Sequence, residues 1–240
     1  MTPKLSVNIN KVALIRNARG GNLPDLKQFA IDCESFGAQG ITVHPRPDER
    51  HVRFSDLPIL KELVSTEFNI EGYPSEYFID KVLEIQPDQC TLVPDPPDVL
   101  TSDTGWDFWD QGSFLKPIIR RMQKAGIRVS TFCNPLVHDV EGAAETGADR
   151  VEFYTGSYAN SYGKDKEEAI RPHILSAIRA GELGLGVNAG HDLNLDNLEY
   201  YAANIPQLAE VSIGHALICD ALYYGIENVI KMYRQKLVAG

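Results

Sequence analysis

The amino-acid sequence predicts a single (β/α)₈ barrel that spans residues 1–240. Eight short apolar, β-branched segments alternate with eight amphipathic helical patterns, which is typical of parallel α/β folds. A chain of 240 residues has the usual size of one such barrel. A doubly wound open sheet is the alternative, but it typically has fewer strands and a glycine-rich first turn. Gly20-Gly21 lies too far beyond the first strand to supply that turn.

The predicted strands follow near-continuous apolar runs rather than alternating patterns. Such runs are expected for parallel strands that are covered by protein on both faces. The eight strands are predicted at residues 4–9, 40–44, 68–72, 89–94, 128–132, 150–155, 185–190 and 210–215.

The predicted helices have apolar residues at i, i+3 and i+4, which gives each helix a stripe to bury. Several end in a glycine shortly before the next strand, and glycine is preferred there because it adopts a left-handed backbone at low cost. These glycines are Gly37, Gly126, Gly147 and Gly184. The helices are predicted at residues 25–37, 56–65, 75–85, 114–126, 139–147, 166–184, 195–204 and 216–237.

Two predicted connections are too long to be plain turns. Residues 10–24 follow the first strand and are predicted to contain an extra short helix. Residues 95–113 follow the fourth strand and contain both tryptophans. Because a permanently solvated tryptophan is uncommon, we expect this second loop to be more than a disordered insertion. Long loops in compact domains often cover binding sites.

The composition excludes several classes of function. The 33 acidic and 23 basic residues give a formal net charge of −10, which disfavours nucleic acid and anionic membranes as partners. The first residues show no secretory signal and no apolar run is long enough to span a bilayer, so the cytoplasm is the expected location. The cysteines form no C-x-x-C pair and are expected to be buried, reduced thiols; they are Cys33, Cys90, Cys133 and Cys219.

Polar residues collect where the predicted strands end, which is the place where this fold builds active sites. Glu71 and Glu152 lie within the last residues of strands 3 and 6. An unpaired acid is costly to bury, so we expect both to face one polar cavity. The complete strand-end set comprises Asn8, Asn10, His44, Arg46, Glu71, Thr101, Glu152, Asn188, His191, Gly214 and His215.

The histidines favour the same end of the barrel, whereas His138 and His173 fall in helical stretches and are expected at the surface. Acids and histidines in one cavity indicate general acid–base catalysis, because burial tunes their pKa values toward neutrality. A metal site is the second interpretation. No H-x-H or H-E-x-x-H spacing is present to favour it.

The segments NAGHD (188–192) and SIGHA (212–216) end the last two strands. In barrels the loops after these strands often bind phosphate through backbone amides and a helix N-terminus. Arg46, Arg50 and His51 are candidates for a second anion site, so two phosphorylated substrates or one bisphosphate are expected. Only Lys11 lies near a strand end, so an imine reaction would use an amine of the substrate.

Several segments between residues 7 and 217 carry a family resemblance: VNINKVALIRNARGG, GITVHPRPDERH, FNIEG, TLVPD with LTSDTGWD, VEFYTG, NAGHDL and SIGHAL. With them the chain resembles the pyridoxine 5′-phosphate synthases of vitamin B6 biosynthesis. The resemblance implies a (β/α)₈ barrel with extra helices in oligomer contacts, usually an octamer built from dimers. It also implies condensation of 3-amino-2-oxopropyl phosphate with 1-deoxy-D-xylulose 5-phosphate to pyridoxine 5′-phosphate, phosphate and water, without a metal or organic cofactor.

The resemblance further implies roles for individual residues. His44 and Glu71 match proton acceptors, His191 matches the proton donor, and Glu152 matches an acid that stabilises the transition state. Contacts to the amino ketone phosphate are implied for Asn8, Arg19 and the backbone of Asp192, Gly214 and His215. Contacts to the deoxyxylulose phosphate are implied for Arg46, His51 and Thr101, the last from a loop that closes over the site.

The chain departs from the family pattern at positions that are expected to contact substrate. Asn10-Lys11 stands where other members carry Asp-His, and Asp192 stands where they carry Gly. Asn10 can hydrogen-bond a sugar hydroxyl but cannot act as a carboxylate, and Lys11 adds a firm positive charge. Asp192 places an acid beside the proposed phosphate cradle, which is tolerable only if its side chain points away.

Two other functions fit part of the pattern. A metal-free phosphosugar isomerase on the same barrel would need one phosphate site, so the stoichiometry of phosphate binding separates it from a two-substrate enzyme. A sugar-phosphate binding protein without catalysis is the other alternative. The strand-end acids argue against it, because a binder gains nothing from two unpaired buried carboxylates.

Overall fold

Eight parallel strands form a closed barrel in the computed structural model, which describes residues 2–95 and 103–238. Each strand pairs with the next along the chain, and β8 closes the barrel against β1. The predicted fold and all eight predicted strands are therefore confirmed. The strands are β1 Lys4–Asn8, β2 Gly40–Val43, β3 Phe68–Gly72, β4 Gln89–Leu92, β5 Arg128–Cys133, β6 Arg150–Tyr154, β7 Gly186–Gly190 and β8 Leu208–Ile213.

Helices surround the barrel and cover its apolar outer face. The extra helix predicted between residues 10 and 24 is present as α1. A short 3₁₀ helix, Phe54–Asp56, precedes α3. The helices are α1 Asn10–Asn17, α2 Leu26–Ser35, α3 Leu57–Leu63, α4 Glu76–Ile85, α5 Phe108–Lys124, α6 Val137–Thr146, α7 Gly156–Tyr162, α8 Lys166–Glu182, α9 Leu198–Asn204, α10 His215–Tyr224 and α11 Ile226–Val238.

Three helix predictions need correction. Helix α5 begins at Phe108 rather than at residue 114, because the Asp107 side chain accepts hydrogen bonds from the first backbone N–H groups and caps the helix. The single helix predicted for residues 216–237 is two helices, α10 and α11, separated at Gly225, whose φ of +78° ends α10. Helix α7 was not predicted, since its sequence, GSYANSY, has no clear apolar stripe.

The barrel interior is polar, whereas the sequence analysis interpreted the strands as near-continuous apolar runs rather than alternating patterns. The hydroxyls of Ser6 and Thr42 are 2.7 Å apart, and Asn69 bonds both Thr42 and Thr91. Thr91 on β4 also reaches Glu152 on β6, at 3.5 Å. Because these two strands are not neighbours in the sheet, that contact crosses the inside of the barrel. The strands therefore alternate, with apolar residues outward and polar residues inward.

Charged residues fill the amino-terminal end of the barrel. Arg128 donates to Glu67, and Arg150 lies 3.9 Å from Glu210. Arg150 also donates to Oδ1 of Asn188 at 3.2 Å. Asn188 is therefore directed away from the strand ends where the sequence placed it. Burial and the neighbouring Glu67 raise the pKa of the buried Glu210 well above its ordinary value.

The burial of individual tryptophan, histidine and cysteine side chains can also be compared with the sequence predictions. Of the two tryptophans, Trp106 is buried and donates from Nε1 to the Leu92 carbonyl at 2.9 Å, whereas Trp109 is 56% exposed, contrary to expectation. His173 was expected at the surface but is fully buried, with Nδ1 2.9 Å from the Tyr201 hydroxyl. Cys219 is exposed rather than buried, whereas Cys33, Cys90 and Cys133 are buried as predicted. In the described ranges no helix is both long and apolar enough to cross a membrane.

Candidate active site

Four predicted residues converge at the carboxyl ends of the strands. Glu71 is the penultimate residue of β3, and Glu152 lies in β6. His44 and His191 directly follow β2 and β7. The charge of Glu152 acts on the pKa of Glu71, and that of His191 acts on the pKa of Glu152, which places these groups within electrostatic reach of one another.

Glu71 is a carboxylic acid that binds its proton unusually tightly. Loss of hydration raises its pKa well above the ordinary value, and the negative charges of Glu152, Glu210 and Asp95 add to this effect. Arg46 opposes the shift but does not cancel it. The Glu71 carboxylate oxygen Oε2 accepts a hydrogen bond of 3.4 Å from Asn8.

Glu152 has a pKa of about 7, raised mainly because the side chain is buried. The charge of His191 and the Thr91 hydroxyl oppose that shift and keep the pKa near neutrality. A small neighbour makes room for this carboxyl. A Cβ atom added to Gly190 would lie 2.8 Å from Oε1 of Glu152 and 2.5 Å from the Ser212 carbonyl oxygen, so only glycine fits at that position.

A chain of amide side chains connects Glu71 to His44. Asn8 donates to Glu71, and Oδ1 of Asn8 accepts the Asn10 backbone N–H at 3.1 Å. Oδ1 of Asn10 in turn accepts the backbone N–H of His44 at 2.9 Å. Asn10 thus positions the end of β2, a task that needs an oxygen acceptor but no negative charge.

His44 and His51 are neutral imidazoles near physiological pH. Burial is the largest cause of the lowered pKa in both, and nearby positive charges lower it further. The pKa of His51 falls to about 4, with contributions from Arg50, Arg46 and Lys11. The two rings contact edge to face, with centroids 6.3 Å apart. Neutral rings can both accept and donate hydrogen bonds.

Two residues that the sequence analysis missed hold the loop that carries His51. Arg16 is buried, forms two hydrogen bonds of 2.8 and 2.9 Å to Asp56, and also donates to the His51 carbonyl. Asn17 donates to the same carbonyl at 2.7 Å. The available signal was the position of Arg16 on the buried stripe of α1 beside Val12 and Ala13.

Arg46 lies in a buried ion pair with Asp95, with Nη2 2.9 Å from Oδ2. Both side chains are about 95% buried, since 5% and 4% of their surfaces are exposed. Asp95 was not singled out from the sequence. The pair borders a cavity of about 570 Å³ that His44, Tyr73 and Tyr77 also line. This cavity extends the strand-end cluster toward helix α4.

Gly214 and His215 lie at the junction of β8 and α10, next to Asn8. A Cβ atom added to Gly214 would lie 3.1 Å from Cβ of Asn8, so glycine permits this close approach. Helix α10 begins at His215, and the first backbone N–H groups of a helix have no partner within it. Such a helix end is suited to an anion.

Three predicted site residues are not part of this cluster as described. Arg19 is exposed in the turn after α1. Lys11 is exposed in the first turn of α1, although its charge lowers the pKa of His51. Thr101 lies outside the described residues.

Asp192 follows His191, and its backbone N–H already donates to the Gly190 carbonyl at 3.1 Å.

The metal interpretation gains no support from the side-chain arrangement. Within residues 2–95 and 103–238, no group of three or more His, Cys, Asp or Glu side chains is arranged to hold a metal ion. The strand-end cluster instead combines carboxyl groups of raised pKa with neutral imidazoles, a combination suited to proton transfer.

A closed (β/α)₈ barrel with acids and histidines clustered at the carboxyl ends of its strands is typical of barrel enzymes. The sequence model of the family described as pyridoxal phosphate biosynthesis protein PdxJ matches residues 5–239. The chain belongs to this family. Proteins named pyridoxine 5′-phosphate synthase from Cytophaga hutchinsonii and Parabacteroides distasonis are 61% and 58% identical to it. The matches cover 98% of both chains in the first case, and 96% of this chain and 97% of the relative in the second.

Solved structures with low sequence identity share the fold. Phosphoribosyl anthranilate isomerase from Thermotoga maritima superimposes with a TM-score of 0.64 at 13% identity, covering 99% of this chain and 100% of that one. 3-Keto-L-gulonate-6-phosphate decarboxylase from Vibrio cholerae gives a TM-score of 0.64 at 9% identity, covering 99% and 98%. At these identities the likeness concerns the barrel architecture alone.

The raised pKa of Glu152 predicts a specific pH dependence of stability. Between pH 4.5, the ordinary value, and about 7, folded Glu152 holds a proton that the unfolded chain has released. Stability therefore falls as pH rises through this window. Glu152→Gln removes that loss. The free energy of unfolding of the variant minus that of the unmodified protein should therefore be larger at about pH 8 than at about pH 5.

Urea denaturation at the two pH values, at one protein concentration, measures this difference. Glu145→Gln is the matched control, because Glu145 is an exposed glutamate on α6. Its difference from the unmodified protein should not change with pH. If the difference for Glu152→Gln is also the same at both pH values, Glu152 does not have the raised pKa described above.

Proposed function

We propose that the chain is a pyridoxine 5′-phosphate synthase that condenses 3-amino-2-oxopropyl phosphate with 1-deoxy-D-xylulose 5-phosphate. The products are pyridoxine 5′-phosphate, inorganic phosphate and water. Membership of the PdxJ family and the names of relatives up to 61% identical support this proposal. The observation in the chain itself that carries it is the pair Glu71 and Glu152, two acids of raised pKa in one buried cluster.

The reaction requires several proton transfers near neutral pH. The substrate amine attacks the sugar ketone, and loss of water from the adduct gives an imine. The imine tautomerises to an enamine by loss of a proton from carbon. Phosphate leaves, and a second carbonyl condensation closes the ring. Each departing oxygen needs a proton donor and each C–H bond needs a base, so groups whose pKa values lie near the working pH are favoured.

In this proposal Glu71 and His44 accept protons, and His191 donates one. Glu71 is protonated at rest, so it accepts a proton only after its own proton has passed to a departing oxygen. Glu71 is held by Asn8, and His44 is connected to it through Asn10. A neutral His44 ring can take a proton directly, since its lowered pKa leaves it uncharged. Glu152 stabilises positive charge that develops on the substrate nitrogen. No lysine is required, because the amine belongs to the substrate.

Two anion sites suit the two phosphate groups. The amino ketone phosphate is assigned to Gly214 and His215 at the start of α10 and to Asn8 beside them, with Arg19 completing the contacts. The backbone of Asp192 does not donate to it, because its N–H is hydrogen-bonded to Thr155 and Gly190. The deoxyxylulose phosphate is assigned to Arg46, His51 and Thr101, with Asn10 and Lys11 near the sugar. Local donors of this kind are needed because the net charge of −10 repels anions at long range.

We further propose that the chain assembles as a homo-octamer built from dimers. Leu222, Tyr223 and Tyr224 at the end of α10 are 74%, 85% and 55% exposed. Leu14 and Ile15 on the neighbouring α1 are also exposed. Clustered exposed apolar residues of this kind are typical of surfaces that other proteins cover.

Incubation of the purified protein with both substrates and an excess of EDTA tests the reaction and its independence from metal. We expect pyridoxine 5′-phosphate and inorganic phosphate in equal amounts, because each turnover forms one molecule of each. EDTA should not reduce the yield, because side chains carry out every proton transfer. Chromatography and a phosphate assay measure the two products. Either substrate alone is the control and should release nothing. Absence of product with both substrates contradicts the proposed function, and product only without EDTA contradicts its metal-free mechanism.

Glu71→Gln and His191→Asn test the proposed proton-transfer roles. Glu71→Gln keeps the size of the side chain, and His191→Asn keeps a polar amide close to the position of Nδ1. Both substitutions remove the ability to exchange a proton at neutral pH. We expect each to lower kcat by about 10²- to 10⁴-fold, the usual range for general acid–base catalysis, while circular dichroism shows an intact fold. Glu145→Gln on the outer surface should keep full activity. Near-normal rates in both site variants remove these roles.

A further inference from the structure

The residue after His191 forms a pair with it that the proposed mechanism does not use. Nδ1 of His191 lies 2.7 Å from Oδ2 of Asp192. His191 adopts a φ of +72°, a left-handed conformation that is uncommon for residues other than glycine. Such conformations persist where the surrounding structure holds them, and they concentrate at functional sites.

A set of buried polar groups fixes the backbone of Asp192. Its N–H lies 3.1 Å from both the Thr155 hydroxyl and the Gly190 carbonyl. Its own carbonyl accepts from Nδ2 of Asn197 at 3.3 Å. Thr155 and Asn197 are almost completely buried, with 0% and 2% of their surfaces exposed. The position of the Asp192 carboxylate is therefore set by the ends of β6 and β7 and by the start of α9.

The pair determines which nitrogen of His191 carries a proton. An ionised carboxylate can only accept hydrogen bonds, so Nδ1 must be the donor in the contact with Asp192. Nε2 is then the nitrogen that exchanges protons with the substrate. When the ring is protonated, Nε2 gives its proton to a departing oxygen. Nδ1 keeps its own proton throughout, so the ring returns to one defined tautomer.

Two other groups face the same ring. The charge of His191 lowers the pKa of Glu152, which shows that the acid lies within electrostatic reach. The ring of Tyr154 contacts that of His191 edge to face, with centroids 5.9 Å apart. Neither contact specifies a tautomer, because a ring edge and a distant charge do not select one nitrogen. The contact of Nδ1 with the Asp192 carboxylate does select one nitrogen.

We propose that Asp192 is a positioning residue that fixes the orientation and the tautomer of His191. The aspartate does not touch the substrate through its side chain; it acts through the imidazole. The kinetic part of this inference rests on the proposed function, since it assumes that His191 donates a proton. The tautomer itself does not depend on that assumption.

Steady-state kinetics of Asp192→Ala and Asp192→Asn test the effect on turnover. We expect Asp192→Ala to lower kcat by roughly 10-fold or more, with KM for both substrates changed by less than about threefold. Asp192→Asn should restore part of kcat, because its amide oxygen can accept the same hydrogen bond. Asp196→Asn is the matched control, since it removes an exposed carboxylate from the same loop, and it should keep full activity.

Magic-angle-spinning NMR of protein with ¹⁵N-labelled histidines tests the tautomer without any turnover. The signals of His191 are identified by their loss in His191→Asn. In the unmodified protein we expect Nδ1 to be protonated whenever the ring is neutral, and in Asp192→Ala we expect Nε2–H to gain population. An unchanged tautomer in Asp192→Ala overturns the proposal. If the tautomer changes but the unmodified protein makes no pyridoxine 5′-phosphate, the proposed function fails and the positioning role stands.

Discussion

The site depends on two carboxyl groups that share one poorly hydrated region at the strand ends. The negative charge of Glu152 raises the pKa of Glu71, because two negative charges close together in a low-dielectric surrounding repel strongly. Burial contributes the largest part of both shifts. The acids therefore hold protons at a pH where ordinary glutamates have lost theirs, and burial likewise lowers the pKa of His44 and His51 and keeps them neutral.

The polar interior of the barrel makes this arrangement tolerable. Most barrels of this class fill their centre with bulky branched side chains. Here hydroxyl and amide groups run from Ser6 to Glu152 and give the buried carboxyl a hydrogen-bond partner in Thr91. The amino-terminal end is filled by the network of Glu67, Arg128 and Arg150. The amino-terminal end of the barrel thus contains paired charges, while the carboxyl ends of the strands carry two acids of raised pKa.

Much of the fold could be predicted from the sequence because its signals are local. Apolar runs marked every strand, and Gly37 and Gly126 have the positive φ expected at helix ends. The candidate site residues could also be chosen from local sequence, because strand ends in a barrel converge whatever the loops do. Helix α7 was missed because its residues form no apolar stripe, and packing of Tyr158 against the core stabilises it.

Contacts between residues far apart in the chain could not be predicted from the sequence. Arg46 forms an ion pair with Asp95, and Arg16 donates a hydrogen bond to the His51 carbonyl. Each contact joins two segments that share no sequence motif. His173 was placed at the surface because it falls in a helical stretch, yet Phe153, Tyr158 and Tyr201 surround it. The alternation of polar residues inside the barrel was hidden by short strands in which serine and threonine resemble turn or surface residues.

The protonation state of Glu71 at neutral pH is the most direct test of this account. Infrared spectroscopy of the protein with ¹³C-labelled glutamate separates protonated carboxyl groups from ionised ones. The account predicts a protonated band at neutral pH that loses intensity in Glu71→Gln, with the remainder from Glu210 and part of Glu152. A band of equal intensity in the two proteins, or no protonated band at all, would show that Glu71 is ionised and would contradict the account.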